Sequence, residues 1–344
     1  MKARLATGRE RLDDALEALA VLCEPVELPQ NELQHIHYFC GNTEIPDDLK
    51  EREPQRVALY KGTAKVVRAF ANIADELESA GYSEADVTRI KSEMNGFIKL
   101  RETIKKASGE TIDLKAYEAD MRHLIDCYID ADEPRVISPF DDLTLLEIIV
   151  KTGIDKAIDT LPEGIKENQN SVAETIENNV RSKIIKEQLN DPAYYERMSL
   201  QLQELIAARK AKAISYEKYL AKVADLAKRV ETGHGKETPS VLKSKGMRAI
   251  YNNLVSGLTP PTTTVSTEQI AEAKDSYKTG NGLSEADALE LTLKIDKTVK
   301  QVRPDDWRGE TSRENVIKAA LFGILQEETE VEHIFQIIFA QKEY

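Results

Sequence analysis

The triplet Glu272-Ala273-Lys274 is the part of this sequence that comes nearest to a nuclease centre. Metal-dependent nucleases of one large class hold a divalent cation between an Asp and an E-x-K triplet on neighbouring strands. Here the triplet lies in IAEAKDSY, which has the apolar spacing of a helix rather than of a strand. The sequence therefore favours a solvated helix face over a nuclease site.

Two further segments look like parts of nucleotide-driven motors. VETGHGKET supplies Gly235 and Lys236 of a phosphate-binding loop, but Val230 and Glu237 replace the required Gly and Ser/Thr. The tetrad 132–135 (DEPR) has the composition of a helicase acidic box, yet no apolar strand precedes it. Both segments are interpreted as loops.

A zinc site is the remaining chemical candidate, at His35, His37, Cys40 and Cys23. The two histidines point to different faces of a helix, and no C-x-x-C pair supports them. Packing or surface roles are favoured, and no G-x-S-x-G nucleophile motif occurs. We therefore predict no catalytic, cofactor-binding or metal-binding residue in this chain.

Composition limits the class of protein and its partners. The chain has 344 residues, 41% hydrophobic and 31% charged, with a net charge of −13. An acidic balance argues against DNA as the main direct partner, because affinity for DNA comes largely from phosphate neutralisation. Three scattered cysteines, no signal peptide and no long apolar run predict a cytoplasmic protein without a membrane span.

Apolar residues recur at spacings of three and four almost throughout, while aromatic residues make up only 6%. This pattern predicts an all-α, multi-helix bundle with more than half of the residues helical. The polar segment 161–170 suggests two helical subdomains, 1–165 and 166–344. A Thr/Pro-rich loop at 257–267 interrupts the second.

Helix starts are signalled by short polar residues ahead of apolar stripes. Ser83, Asp191 before Pro192, and Ser215 are predicted N-caps, and Ser171 with Glu174 is predicted to form a capping box. A long helix is predicted to follow Pro54 and to continue through Leu77.

A set of polar and aromatic residues between 173 and 211 stands out because it is unusual for a helix surface. Two asparagines within a helix lower its propensity, so something outside the helix is expected to satisfy them. Tyr and Arg are typical interface anchors. They are predicted to bind or support a partner; the alternatives are an ordinary helix surface or an internal polar network. The residues are Asn178, Asn179, Arg181, Tyr194, Tyr195 and Arg209.

The same region carries a family resemblance. ENNVRSKI, NDPAYYERMSLQLQELIAARK and ISYEKYLAKV, all within 173–230, resemble the C-terminal region of the R subunit of type I restriction-modification systems. The resemblance continues upstream over 112–153 and downstream over 302–325 and 331–344, so it covers most of the chain. It implies that the chain is one part of a longer nuclease and motor polypeptide.

The resemblance implies a role in assembly. Such a region docks the R subunit onto the modification (methyltransferase) and specificity subunits, and couples ATP-driven translocation to cleavage of unmodified DNA. ATP and magnesium would serve motor and nuclease domains outside this sequence. DNA would be met through the complex, with weak direct binding. The alternatives are an unrelated helical scaffold or a helical DNA-guiding module, for which 99–106 and 209–212 offer basic residues.

Overall fold

The computed structural model describes residues 2–110, 143–235, 238–257 and 283–344. Helices account for 75% of these residues, and no β-strand occurs among them. The prediction of an all-α, multi-helix bundle is confirmed. No helix in the described ranges combines the length and apolar character needed to cross a membrane.

The helices follow one another closely along the chain. They are α1 (Lys2–Cys23), α2 (Glu32–Cys40), α3 (Asp48–Glu51), α4 (Glu53–Ala71), α5 (Glu84–Ser108), α6 (Leu145–Thr152), α7 (Ile154–Asp159), α8 (Glu163–Lys166), α9 (Gln169–Glu187), α10 (Pro192–Lys210), α11 (Tyr216–Thr232), α12 (Lys245–Ser256), α13 (Glu285–Val302), α14 (Thr311–Leu325) and α15 (Glu328–Ala340). A 3₁₀ turn, Ala74–Glu76, follows α4.

Three predicted caps are present. Ser83 and Asp86 form a reciprocal capping box at the start of α5. The Asp191 carboxylate accepts from the Tyr194 backbone N–H at 3.2 Å, with Pro192 as the first residue of α10. Ser215 Oγ accepts from the Lys218 N–H at 3.3 Å at the start of α11. These orphan N–H groups are satisfied by side chains close in sequence, so the starts of these three helices could be predicted from local sequence.

Two predicted boundaries are wrong. The Asn168 side chain accepts from the backbone N–H groups of Asn170 and Ser171, so Asn168 takes the capping role and α9 begins at Gln169. Ser171 lies inside the helix and is buried. The helix after Pro54 does not reach Leu77: α4 ends at Ala71.

The chain divides into two compact units. Unit 1 comprises residues 1–182 and 202–228, and unit 2 comprises residues 183–201 and 229–344. The cores of both units consist of side chains that recur at helical spacing. In unit 1 the side chains of α1, α2, α4 and α5 with less than 2% exposure include Leu12, Leu19, Ile36, Phe39, Leu59, Phe70, Ile90 and Met94.

Helices α1 and α4 pack closely in unit 1, and a glycine marks each end of the contact. A Cβ on Gly8 would lie 2.5 Å from Ile73 Cγ2, and a Cβ on Gly62 would lie 2.5 Å from Leu19 Cδ2. Low-numbered residues of α1 thus face high-numbered residues at the end of α4, so the two helices run antiparallel. Each glycine permits an approach that a larger residue would block.

Unit 2 has its own core, formed by α12 to α15. Trp307 is 2% exposed and lies edge-on to Phe335 and Phe339, with ring centroids 5.8 and 5.7 Å away. Its indole N–H donates to the backbone O of Tyr344 at 2.9 Å. The side chain therefore fills the core while its polar atom is satisfied.

Candidate functional site: a buried polar network around α9

The part of helix α9 that belongs to unit 1 is rich in polar residues and yet buried. Every residue from 171 to 181 is buried, although the stretch contains two carboxylates, two asparagines and an arginine. At 3.6 residues per turn, Asn170, Glu174, Glu177 and Arg181 form one stripe of the helix. From Glu174 to Arg181 this stripe is buried, so other helices must supply its polar partners.

Glu177 is the centre of the network. Its side chain has no solvent exposure and accepts from Arg209 Nε at 2.8 Å and from Arg209 Nη2 at 3.0 Å. The Tyr219 hydroxyl donates to the same carboxylate at 2.8 Å. Arg209 comes from the last turn of α10 and Tyr219 from the first turn of α11. One carboxylate therefore ties three helices together.

Electrostatics reinforce this arrangement. Burial opposes the charge on Arg209, but the adjacent Glu177 carboxylate outweighs that cost and raises the pKa of the guanidinium. Burial, together with the Glu177 charge, raises the pKa of Tyr219 well above its ordinary value. The phenol therefore stays protonated and remains a hydrogen-bond donor. Because Arg209 and Tyr219 engage both oxygens of Glu177, that carboxylate is a poor general base.

One turn earlier, Glu174 connects the network to the protein surface. His37 Nε2 of α2 lies 2.7 Å from Glu174 Oε2, and the His37 side chain is 46% exposed. This contact with Glu174 raises the pKa of His37. A carboxylate–imidazole pair could activate a neighbouring thiol by taking up its proton. Cys40 lies on the same helix as His37, but it is fully buried, and burial raises the pKa of its thiol to about 12. The Cys40 thiol therefore stays protonated and is a poor nucleophile.

The predicted partner-binding residues of α9 are buried, between 2% and 5% exposed. Asn179 Nδ2 donates to the Lys106 and Thr175 carbonyl oxygens, both at 2.8 Å. Arg181 Nη2 lies 3.4 Å from the Thr43 carbonyl oxygen, and burial lowers its pKa to about 10. Among the residues that the structure describes, Asn178 Nδ2 has no hydrogen-bond partner.

The two predicted tyrosines lie in unit 2 and are also buried, at 4% and 5% exposure. The Tyr194 hydroxyl donates to the Arg229 carbonyl oxygen at 2.9 Å, and the two rings meet edge-on at 5.2 Å. The Arg209 side chain is 9% exposed, so all six predicted residues are largely buried. They could affect a partner only by supporting a surface, and partner binding by any of them stays a prediction.

Unit 2 contains a second polar cluster, which was not predicted from the sequence. The Asp191 carboxylate accepts from Asn252 Nδ2 at 2.7 Å and from Asn253 Nδ2 at 3.1 Å. Asn253 Oδ1 lies 3.1 Å from His333 Nε2. Burial raises the pKa of Asp191 to about 7, although its hydrogen bonds oppose the shift. The adjacent asparagines inside α12 were the available signal, since asparagine lowers helix propensity.

The motif candidates are distributed as follows. The Glu272 triplet, the 132–135 tetrad, Cys127 and most of the Thr/Pro loop lie outside the described residues, as do Lys236 and Glu237. Cys23 is half-buried, and burial raises its pKa to about 11. Within the described ranges no group of three or more His, Cys, Asp or Glu side chains could hold a metal ion.

The arrangement around α9 is thus that of an internal support: paired charges, protonated phenols and carbonyl contacts between helices. Comparison of the chain with protein-family models, curated proteins and solved structures found no match.

Proposed function

We propose that this chain is the C-terminal assembly and coupling region of a type I restriction enzyme R subunit. It would dock the nuclease and motor subunit onto the modification and specificity subunits, in the cytoplasm. ATP and magnesium would act in domains outside this sequence. The observation that carries the proposal is that 173–230, where the family resemblance is densest, forms three helices joined through one buried carboxylate, Glu177.

A buried network of this kind suits a docking element better than a reaction centre. Polar groups satisfied inside a protein fix one arrangement of helices, because any other packing leaves charges unpaired. A coupling element must transmit force without changing its own packing. The buried pair formed by Arg209 and Glu177 provides that rigidity where α9, α10 and α11 meet in unit 1.

The docking contact itself requires exposed side chains. Between residues 173 and 211, Leu189 is the exposed large hydrophobic residue, with 80% of its surface accessible. It lies just past the end of α9 and two residues before the Asp191 cap. Burying an exposed leucine side chain against a partner removes its apolar surface from water, which is favourable by roughly 1.5–3 kcal/mol. We therefore place Leu189 in the proposed docking contact.

The test is co-purification of the chain with the modification and specificity subunits of a type I restriction-modification system from the same organism. Wild-type chain should be retained, and Leu189→Glu should weaken retention by roughly 1–3 kcal/mol, a typical hot-spot loss. Leu28→Glu is the matched control, because Leu28 is 85% exposed and lies between α1 and α2. Failure of the wild-type chain to bind either subunit would contradict the proposed function.

A further inference from the structure

A segment without acidic residues stands out in a chain whose net charge is −13. From 54 to 73 the sequence contains four cations and no Asp or Glu. One of them, Arg56, is buried, while Lys61 and Lys65 are exposed and Arg68 is half-buried. The spacing of four and then three residues places these last three on one face of α4, over about 10 Å of helix.

Helix α1 adds a further cation beside this face. The contacts Gly8–Ile73 and Leu19–Gly62 fix the antiparallel register, in which residue 11 of α1 lies opposite the last turn of α4. The buried face of α1 has Arg9 along one side, where the guanidinium stacks on Tyr82. Arg11 lies along the opposite side of that buried face, next to the exposed face of α4, and its side chain is exposed.

Within the described ranges, no ion pair involves Arg11, Lys61 or Lys65, whereas nearby Arg4 pairs with Glu76. Asp14, one turn from Arg11, is the acid nearest to the face by helix geometry. Between Lys61 and Lys65 only Gly62 is partly exposed, so this stretch of α4 presents charge and no large apolar side chain.

We propose that the face formed by Arg11, Lys61, Lys65 and Arg68 binds the phosphate backbone of duplex DNA. A row of surface cations suits a polyanion that is held by counterion release and needs no pocket. Membrane-surface helices carry Trp, Phe or Leu to bury in lipid, and single-stranded nucleic acid is held by stacked aromatic residues. On this face of α4 the exposed uncharged residues are Ala58 and Asn72, while Val57 and Gly62 are half-buried, so α4 exposes no aromatic or large aliphatic side chain there.

The choice of DNA over duplex RNA rests on the proposed function, in which the assembled enzyme moves along DNA. The contact itself is separate from docking. It involves α1 and α4, whereas the proposed docking contact involves Leu189. Loss of DNA binding with retained subunit binding, or the reverse, would therefore show which of the two proposals fails.

The experiment measures binding of the whole chain to a labelled 30-base-pair duplex of arbitrary sequence by fluorescence anisotropy, at several salt concentrations. We expect weak binding near 50 mM salt, with a dissociation constant in the micromolar range typical of non-specific contacts. Lys61→Glu/Lys65→Glu should weaken it by at least about ten-fold. Lys61→Gln/Lys65→Gln should reduce the slope of log K against log salt by about 1.8, as expected for two lost phosphate contacts.

Lys218→Glu/Lys222→Glu provides the matched control. These lysines are also exposed and four residues apart on a helix of unit 1, so the charge change and spacing are the same. We expect less than about a three-fold effect, because only long-range repulsion changes. Asp14→Asn should tighten binding. Circular dichroism of each variant establishes that it is folded, and the Gln pair serves as the test if the Glu pair unfolds.

Three results would overturn the proposal. The first is no binding by wild-type chain at 100 µM DNA in 50 mM salt. The second is an equal loss for the α4 and α11 pairs, which would mean that net charge alone governs binding. The third is that Lys61→Glu/Lys65→Glu weakens binding to anionic phosphatidylserine vesicles or to duplex RNA but does not weaken binding to duplex DNA. Selective loss of duplex DNA binding in the α4 pair supports it.

Discussion

Arg209 holds Glu177 through two hydrogen bonds, from Nε to Oε1 at 2.8 Å and from Nη2 to Oε2 at 3.0 Å. The Arg209 side chain is 9% exposed and that of Glu177 is not exposed at all. This planar, two-point geometry is available to arginine and not to lysine. Removing the guanidinium would leave a buried carboxylate without its counter-charge.

Arg209→Met should therefore destabilise the chain by roughly 3–5 kcal/mol, the usual cost of breaking a buried ion pair from one side. Urea unfolding measures it. Arg209→Met/Glu177→Gln should lose clearly less, because the unpaired charge is gone. Arg89→Ala is the surface control, since Arg89 pairs with Glu93 in solvent, and it should cause only a small change. Equal losses for the single and double variants would refute this account.

Gly109→Ala tests how α5 meets α9. Gly109 has φ of +65°, and an added Cβ would lie 2.7 Å from the Asn179 Cα. The left-handed conformation alone costs a non-glycine residue about 1–2 kcal/mol, and the backbone contact adds to it. Gly96→Ala within α5, the helix that Gly109 ends, is the control: its Cβ meets nothing within 4 Å, so it should be neutral or stabilising by up to about 1 kcal/mol. Thermal unfolding distinguishes the two.

Helix identity and many helix ends could be predicted from sequence because they depend on local chemistry, as at Ser83 and Ser215. The failure at Ser171 has the same origin: Asn168 competes for the same N–H groups, and the sequence does not show which residue prevails. Burial of Asn179 and Arg181 depends on carbonyl oxygens at Lys106 and Thr43, far away in the chain. No local pattern predicts such contacts.

The basic face of α4 was missed for a different reason. Sequence inspection favours adjacent cations such as 99–106 and 209–212, yet in the structure Arg101 and Arg209 point inward. Lys61, Lys65 and Arg68 are separated in sequence and come together only through helical spacing. Their detectable signal was the absence of acids from 54 to 73.

His37 gives a pH-dependent prediction. Its pKa is raised in the folded chain by the hydrogen bond to Glu174, despite partial burial. The unfolded chain has the ordinary value near 6.5. The stabilisation is therefore complete below that value and is lost as pH rises through the folded pKa. Glu174→Gln should lower the His37 pKa in an NMR titration. An unchanged pKa would mean that the pair does not form in solution.

The effect of Asp191 on the pH dependence of stability should be opposite to that of an ordinary carboxylate in an ion pair. Burial raises its pKa from 3.8 to about 7. Between these values the folded chain keeps a proton that the unfolded chain releases, so the free energy of unfolding falls as pH rises from about 4 to 7. The change is on the order of 4 kcal/mol.

Comparison with Asp191→Asn isolates that effect, because His333, whose pKa burial lowers, titrates in both proteins. The stability of wild type relative to Asp191→Asn should decline between pH 4 and pH 7, as measured by urea unfolding at each pH. A difference that stays constant across this range would show that Asp191 is ionised in the folded chain throughout.

The last prediction separates support of the docking surface from contact with the partner. Arg181 is 3% exposed and Tyr195 is 5% exposed. Arg181→Ala/Tyr195→Ala should mainly destabilise the fold, because truncating a buried aromatic residue alone costs roughly 3–5 kcal/mol. Its binding to the modification and specificity subunits should fall in step with the folded fraction, whereas Leu189→Glu should lose binding while its unfolding curve stays at the wild-type position.

Both quantities can be measured on the same samples, with circular dichroism for the folded fraction and calorimetry for binding. A double variant that remains folded and still binds about 1–3 kcal/mol more weakly would mean that these side chains contact the partner directly. A folded double variant with full affinity would remove the network from the docking mechanism, and Glu177 and Arg209 would then serve only the stability of unit 1.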